Sequence, residues 1–284
     1  MRVYSFLFFL IIFGCVHPSL AQRKSKLNTN GQGTLFAQIG YNRSAYTTSD
    51  VAFQGNSYNF TLRETALKDN EESDGMGQFF SSSSPQISIK LGYFIKPKWA
   101  LTLSFDRYNT FFENHQEVIL DGTIAPGSHS DYSGSYNESI NLTRNQFNIA
   151  QSRGVNYFAL GVQRNDMLYK SRKAEFAFHT VYGVKLGGLF TQLDYTFDDY
   201  TTQNISSLSG FGASAELGIR FEFIQHIFLQ LGLSGGVLNQ SNLKLTSNGS
   251  ATGKQVVAYI SPSINLGFSF FVRPKNNCGT CPQW

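Results

Sequence analysis

Charge is the scarcest thing in this 284-residue sequence. Only 15% of its residues are Asp, Glu, Lys or Arg, against about 25% in an ordinary soluble domain. No apolar run approaches the roughly 20 residues of a spanning helix, and mean hydropathy is −0.20. Together these exclude a bundle of transmembrane helices. Three cysteines are too few for a disulfide scaffold or a four-ligand zinc site. The formal net charge of +4, with no helix-turn-helix or RNA-recognition motif, gives no reason to expect a nucleic-acid partner. What is abundant is Phe (26), Tyr (14) and Gly (26). That apolar area argues against disorder, and aromatics with glycine fit sheet better than helix.

The N-terminus reads as an export signal over residues 1–21. Arg2 supplies the positive start and Phe6–Phe13 the short apolar stretch. Ser19-Leu20-Ala21 places small residues where signal peptidase cuts, leaving Gln22 first. A rival cleavage before Cys15 would make a lipoprotein, but Phe13 is bulky for such a site. Loss of Arg2 alone leaves 22 basic against 19 acidic residues. Residues 22–32 then form a periplasmic lead and 273–284 a polar tail. Cys278 and Cys281 in that tail are expected to form a disulfide. Two thiols beside Pro282 lack both the four ligands of zinc and the helix of a redox motif.

Between these ends the chain alternates with period two and shows no helical period. Eight segments carry the pattern: 33–43, 87–95, 99–106, 154–164, 173–187, 210–223, 227–234 and 256–272. In the clearest, Ile87, Ile89, Leu91, Tyr93 and Ile95 face one way and Ser88, Lys90, Gly92 and Phe94 the other. One face of every segment is apolar. The other is small and polar, with Lys90, Asp106, Glu175, Glu216, Arg220 and Glu222 among Gly and Ser. A soluble sandwich would put its charges on the solvated face of nearly every strand. Here they read as lumen residues of a membrane barrel with lipid on the apolar side. Aromatics at strand ends (Tyr93, Trp99, Tyr182, Phe223) would form interfacial girdles.

Connection lengths alternate. Long segments (44–86 and 109–153) and medium ones (188–209 and 239–255) alternate with tight links at Pro97, 165–172 and 224–226. That is the habit of outer-membrane barrels, with short periplasmic turns and longer extracellular loops. Acidic residues such as Asp69, Glu71, Asp194, Asp198 and Asp199 fall in the long connections, and Lys96, Lys98, Arg164 and Arg172 in the short ones.

Signal, eight alternating strands and unequal loops resemble the small outer-membrane β-barrels of the OmpA/OmpX type. The stretch Gln38-Ile39-Gly40-Tyr41-Asn42-Arg43-Ser44, with Tyr58-Asn59-Phe60-Thr61-Leu62, resembles uncharacterised outer-membrane barrels of Bacteroidota. The resemblance covers residues 33–272 and implies no catalytic residues and no cofactor. One departure is the polar tail after Phe270-Phe271, where such barrels usually end on an aromatic residue.

The expectation is an all-β, eight-stranded, antiparallel up-and-down transmembrane barrel in the bacterial outer membrane. Ten strands is the alternative if Val51–Leu62 and part of the second long loop enter the membrane. An eight-stranded interior is just wide enough for side chains to fill, so the six charges would pair and plug it. The protein would be a non-enzymatic monomer acting in envelope integrity or surface interaction. Its partners would be membrane lipid, lipopolysaccharide, the barrel-assembly machinery and a surface ligand held by the loops. β-like stretches at Val51–Leu62, Glu117–Leu120 and Tyr136–Leu142 would rise as hairpins, with a sheet edge open to strand addition.

Two other readings remain. In a lipid-modifying enzyme, His129-Ser130, or His179 near Glu175, would supply catalytic groups, though no nucleophile motif accompanies them. A secreted lipocalin-like or sandwich protein would extract without detergent. Asp194, Asp198 and Asp199 lack the spacing of a calcium loop, so no metal is expected.

Overall fold

The computed structural model describes residues 31–69, 86–172 and 175–272. The signal segment 1–21, most of the lead and the tail with Cys278 and Cys281 lie outside the described residues.

Every regular element among them is a strand. In chain order these are β1 (Thr34–Asn42), β2 (Ala45–Tyr46), β3 (Ser49–Gln54), β4 (Tyr58–Thr65), β5 (Leu67–Lys68), β6 (Ile87–Lys96) and β7 (Trp99–Phe112). There follow β8 (Gln116–Ile124), β9 (Gly134–Leu142), β10 (Phe147–Lys170), β11 (Phe176–Phe197), β12 (Tyr200–Phe223), β13 (Ile227–Lys244) and β14 (Thr252–Phe271). Eight of them pair antiparallel in the order β1-β6-β7-β10-β11-β12-β13-β14, and β14 pairs back onto β1. The sheet is therefore a closed barrel. The ten-strand alternative does not hold: β3 and β4 flank the upper end of β14 instead of inserting into the ring.

The register measures the stagger. From Ala37, a row of directly opposed residues runs through Leu91, Leu103, Leu160, Leu186, Ala213 and Val237 to Ala258. Ala37 itself pairs with Phe268. One circuit thus climbs ten residues of β14 toward its loop end, which requires strands tilted by about 35–45°. This row is apolar and faces outward, with Leu160 70% and Leu186 61% exposed. Aliphatic and aromatic side chains cover the rest of the outer wall at the same level, including Ile39, Leu101, Leu217, Leu231 and Leu266. Such a belt is a lipid-facing surface and would be unstable in water.

Tight turns join β6 to β7 and β12 to β13 at one end. In the turn from β12 to β13, His226 N–H donates to Phe223 O, and Ile224 and Gln225 both have positive φ (52° and 66°). That is the backbone of a primed hairpin turn.

The other end departs from the expected loops. β10, β11 and β12 are 24, 22 and 24 residues long, about twice what a bilayer needs. The medium loops expected at 188–209 and 239–255 are largely continuations of strands. β11 and β12 are joined by Asp198-Asp199 alone, and β13 and β14 by residues 245–251. The physical reason is one-sided burial. Tyr200–Ser207 is rich in Thr, Asn and Ser and reads as loop, yet Ile205 and Ser207 are buried while their neighbours face solvent. With β3, β4, β8 and β9, these extensions form a β-dome over the barrel. Its core contains Phe53, Phe60, Leu120, Phe147, Leu193 and Tyr195.

Candidate functional site

The lumen is filled in layers set by strand parity. At the turn end Phe36, Phe94, Ala100 and Phe228 form a small apolar cluster. Two glycines make room for it. A Cβ on Gly92 would lie 2.2 Å from the Phe36 ring, and one on Gly267 2.2 Å from the Phe228 ring. The Arg220 guanidinium carbon lies over both rings, 3.9 Å from the centre of Phe228 and 4.6 Å from that of Phe36. Its Nε and one terminal nitrogen donate to Gln230 Oε1 at 3.0 and 2.9 Å. Beside it His179 Nε2 is 3.2 Å from Glu222 Oε2, both side chains buried.

Above lies an ionic layer. Lys90 Nζ bonds Glu216 and donates to Gln163 Oε1 at 3.2 Å. Lys185 Nζ donates to Asp106 Oδ2 at 2.5 Å, and Ser88 Oγ donates to Asp106 Oδ1 at 2.7 Å. The space left among Gln38, Asn42, Lys90, Glu216 and Asn265 is a cavity of about 20 Å³, room for about one water. A tyrosine layer follows. Tyr108 and Tyr259 join hydroxyls at 3.0 Å, and Tyr157 OH donates to Gly212 O at 3.0 Å. The apolar dome core sits on top.

Of the six expected lumen charges, the structure brings Lys90 onto Glu216, places Asp106 on Lys185 and Glu222 on His179, and stacks Arg220 on two rings. Glu175 is not among them. It is exposed and precedes the first residue of β11, in the turn where strand parity no longer points inward. Sequence reasoning missed Lys185, although parity from Ala177 and His179 leads to it. It stands inside the expected segment 173–187, on the same face as Ala177, His179 and Gly183. The exchange balances the lumen: Lys90, Lys185 and Arg220 against Asp106, Glu216 and Glu222. Unpaired, each buried charge would cost several kcal/mol.

A closed eight-stranded ring with a lipid-facing wall and a charge-balanced interior is decisive for the architecture. It is that of an eight-stranded transmembrane β-barrel. No protein-family model and no curated protein matches the sequence. Three solved structures are similar in shape. OprG of Pseudomonas aeruginosa has 12% identity and a TM-score of 0.39, over 86% of this chain and 99% of that one. Ail, the attachment invasion locus protein of Yersinia pestis, has 9% identity and a TM-score of 0.34, over 84% and 99%. The N-terminal β-barrel domain of Pseudomonas aeruginosa OprF has 10% identity and a TM-score of 0.32, over 84% and 99%.

Of the groups that suggested hydrolysis, His129-Ser130 lies in the dome, while His179 sits in the lumen against Glu222 and away from exposed Glu175. Ser130 Oγ donates to Asp198 Oδ1 at 2.6 Å, and Ser130 N–H to Asp198 Oδ2 at 3.0 Å. The buried ring of His129 stacks on Phe147, with centroids 4.8 Å apart. Its Nδ1 accepts the Asp131 N–H at 3.1 Å, which leaves Nε2 to donate to Gln146 O at 3.4 Å. The serine proton therefore goes to the carboxylate, while both imidazole nitrogens are held by backbone. That is a latch joining the β8–β9 connection to the β11–β12 tip, and it lacks the serine–histidine contact of a triad. The Ser130 hydrogen bonds hold the Asp198 carboxyl below the usual aspartate range. Asp194 Oδ1 accepts the Asn204 N–H at 2.8 Å. Among the described residues no three His, Cys, Asp or Glu side chains gather as metal ligands.

Proposed function

We propose that this outer-membrane barrel is non-enzymatic, that its lumen is closed to solutes, and that its dome is an extracellular surface serving envelope integrity or surface interaction. The observation that carries the reading is the double filling of the interior. A neutral set of paired charges occupies the membrane level, and an apolar core closes the level above. The cavity left among the charges, about 20 Å³, has room for about one water. On this reading the tight turns face the periplasm and the dome faces outward.

The dome also offers an interaction edge. β9 ends the sheet path and pairs with β8. Its sequence, Gly-Ser-Tyr-Asn-Glu-Ser-Ile-Asn-Leu, has neither the lysine nor the proline that usually guards an exposed edge. An extended segment of a surface ligand would add there as a further strand.

The test is a deletion strain. Expected is sensitivity to detergent, or loss of surface attachment, with small-solute uptake unchanged. Loss of solute uptake with an intact envelope and normal attachment would overturn the reading.

A further inference from the structure

The outer wall carries a charged cluster that the lumen account does not use. Trp99, Arg164 and Tyr182 stand directly opposite one another on β7, β10 and β11, all on the lipid-facing side. The Arg164 guanidinium lies over the Trp99 ring at 5.5 Å. Asp166, two residues along the same face, receives four hydrogen-bond or ion-pair contacts. Arg164 reaches it at 2.8 and 3.2 Å, Lys98 at 2.9 Å and Tyr182 OH at 2.8 Å. Two cations share one carboxylate, so the cluster is net positive. The cation side chains stay accessible, Lys98 at 54% and Arg164 at 41%, while Asp166 is only 17% exposed.

The same row continues from Tyr182 to Leu217 and Leu233. There it forms one wall of an apolar groove, whose opposite wall is Thr180, Ile219 and Leu231. Rows on this barrel climb toward the loop end in that direction. From Trp99 to Leu233 is four strand spacings, roughly 19 Å, a rise of about 12 Å into the bilayer at the barrel's tilt. A cationic head with an aromatic flank at the rim and an apolar trough rising from it match one molecule.

We propose that this wall is a binding site for an anionic phospholipid of the leaflet nearest the turns. Arg164 and Lys98 take the phosphate, Trp99 and Tyr182 flank the glycerol level, and one acyl chain lies in the groove. Charge complementarity selects an anionic headgroup over a zwitterionic one. The groove's place on the lipid-facing wall makes its occupant a lipid tail. The proposal rests on the barrel spanning the outer membrane.

Trp99 reports on the site directly. The chain has two tryptophans, Trp99 and Trp284, so Trp284→Phe leaves Trp99 alone. The full chain carrying that change is reconstituted in vesicles with brominated phosphatidylglycerol or brominated phosphatidylcholine at equal mole fraction. Expected is stronger quenching by phosphatidylglycerol, a difference that high salt shrinks and that Lys98→Gln with Arg164→Gln abolishes. Equal quenching by the two lipids at low salt would overturn the site. Heat-modifiable migration checks that the double variant is folded, and the salt titration needs no variant. A barrel that does not span would show quenching by neither lipid and water-exposed Trp99 emission, which separates the two failures.

Discussion

Lys185 on β11 reaches past β10 to Asp106 on β7, their charged atoms 2.5 Å apart. Gly161 on β10 stands directly opposite Lys185, and a Cβ there would lie 2.9 Å from the Lys185 Cβ. A side chain at Gly161 would crowd the base of the Lys185 side chain. Lys185→Met strands a buried carboxylate and is expected to destabilise the barrel by about 3–5 kcal/mol. Adding Asp106→Leu removes the orphan charge and should restore most of the loss. Urea unfolding in detergent micelles, single against double variant, measures the coupling.

The turn-end cluster makes a steric prediction. Gly92→Ala drives a Cβ into the Phe36 ring and should cost about 1–3 kcal/mol through overpacking. Phe36→Leu in the same chain opens the space and should recover part of it. Two additive losses in the unfolding midpoint would show that ring and glycine are not in contact.

Ile224 and Gln225 hold positive φ in the β12–β13 turn. That region disfavours side chains, and a β-branched one most of all. Ile224→Asn with Gln225→Gly supplies the residues a primed turn prefers. It is expected to stabilise the barrel by about 1–2 kcal/mol, read as a higher temperature of the heat-modifiable gel shift.

The latch at Ser130 and Asp198 is pH-dependent. A carboxyl whose folded pKa is depressed contributes stability above its unfolded pKa, and that stability is lost as pH falls through the folded value. Hydrogen exchange in the 129–132 segment, corrected for intrinsic rates, should be steady from neutral pH down to about 5 and rise below about 4. Asp198→Asn should show the faster exchange already at neutral pH. Protection that is flat through the acid range would contradict the latch.

The ring of eight strands was legible because lipid and lumen impose opposite chemistry on alternating residues. Lys90, Asp106, Glu216, Arg220 and Glu222 stand out only against that background. Glu175 shows where parity fails as a guide: alternation is already present in the sequence one residue before the strand begins at Phe176. Lys185 lies inside the expected segment, with parity placing it inward, but its partner Asp106 is 79 residues away in sequence. The dome was less legible because water sits on its outer face. Thr201, Gln203 and Asn204 conceal strands whose inward residues, such as Ile205, are few. Hairpins above the membrane were foreseen from Val51–Leu62 and Tyr136–Leu142, but a shared core uniting them with β10–β14 depends on pairings between segments far apart in sequence.

The central claim is a lumen closed by its own side chains, and planar-bilayer recording of the purified barrel tests it most directly. No conductance steps are expected from the native chain, at neutral pH and across salt concentrations. Regular single-channel openings, persisting in preparations shown to be fully folded by heat-modifiable migration, would contradict it.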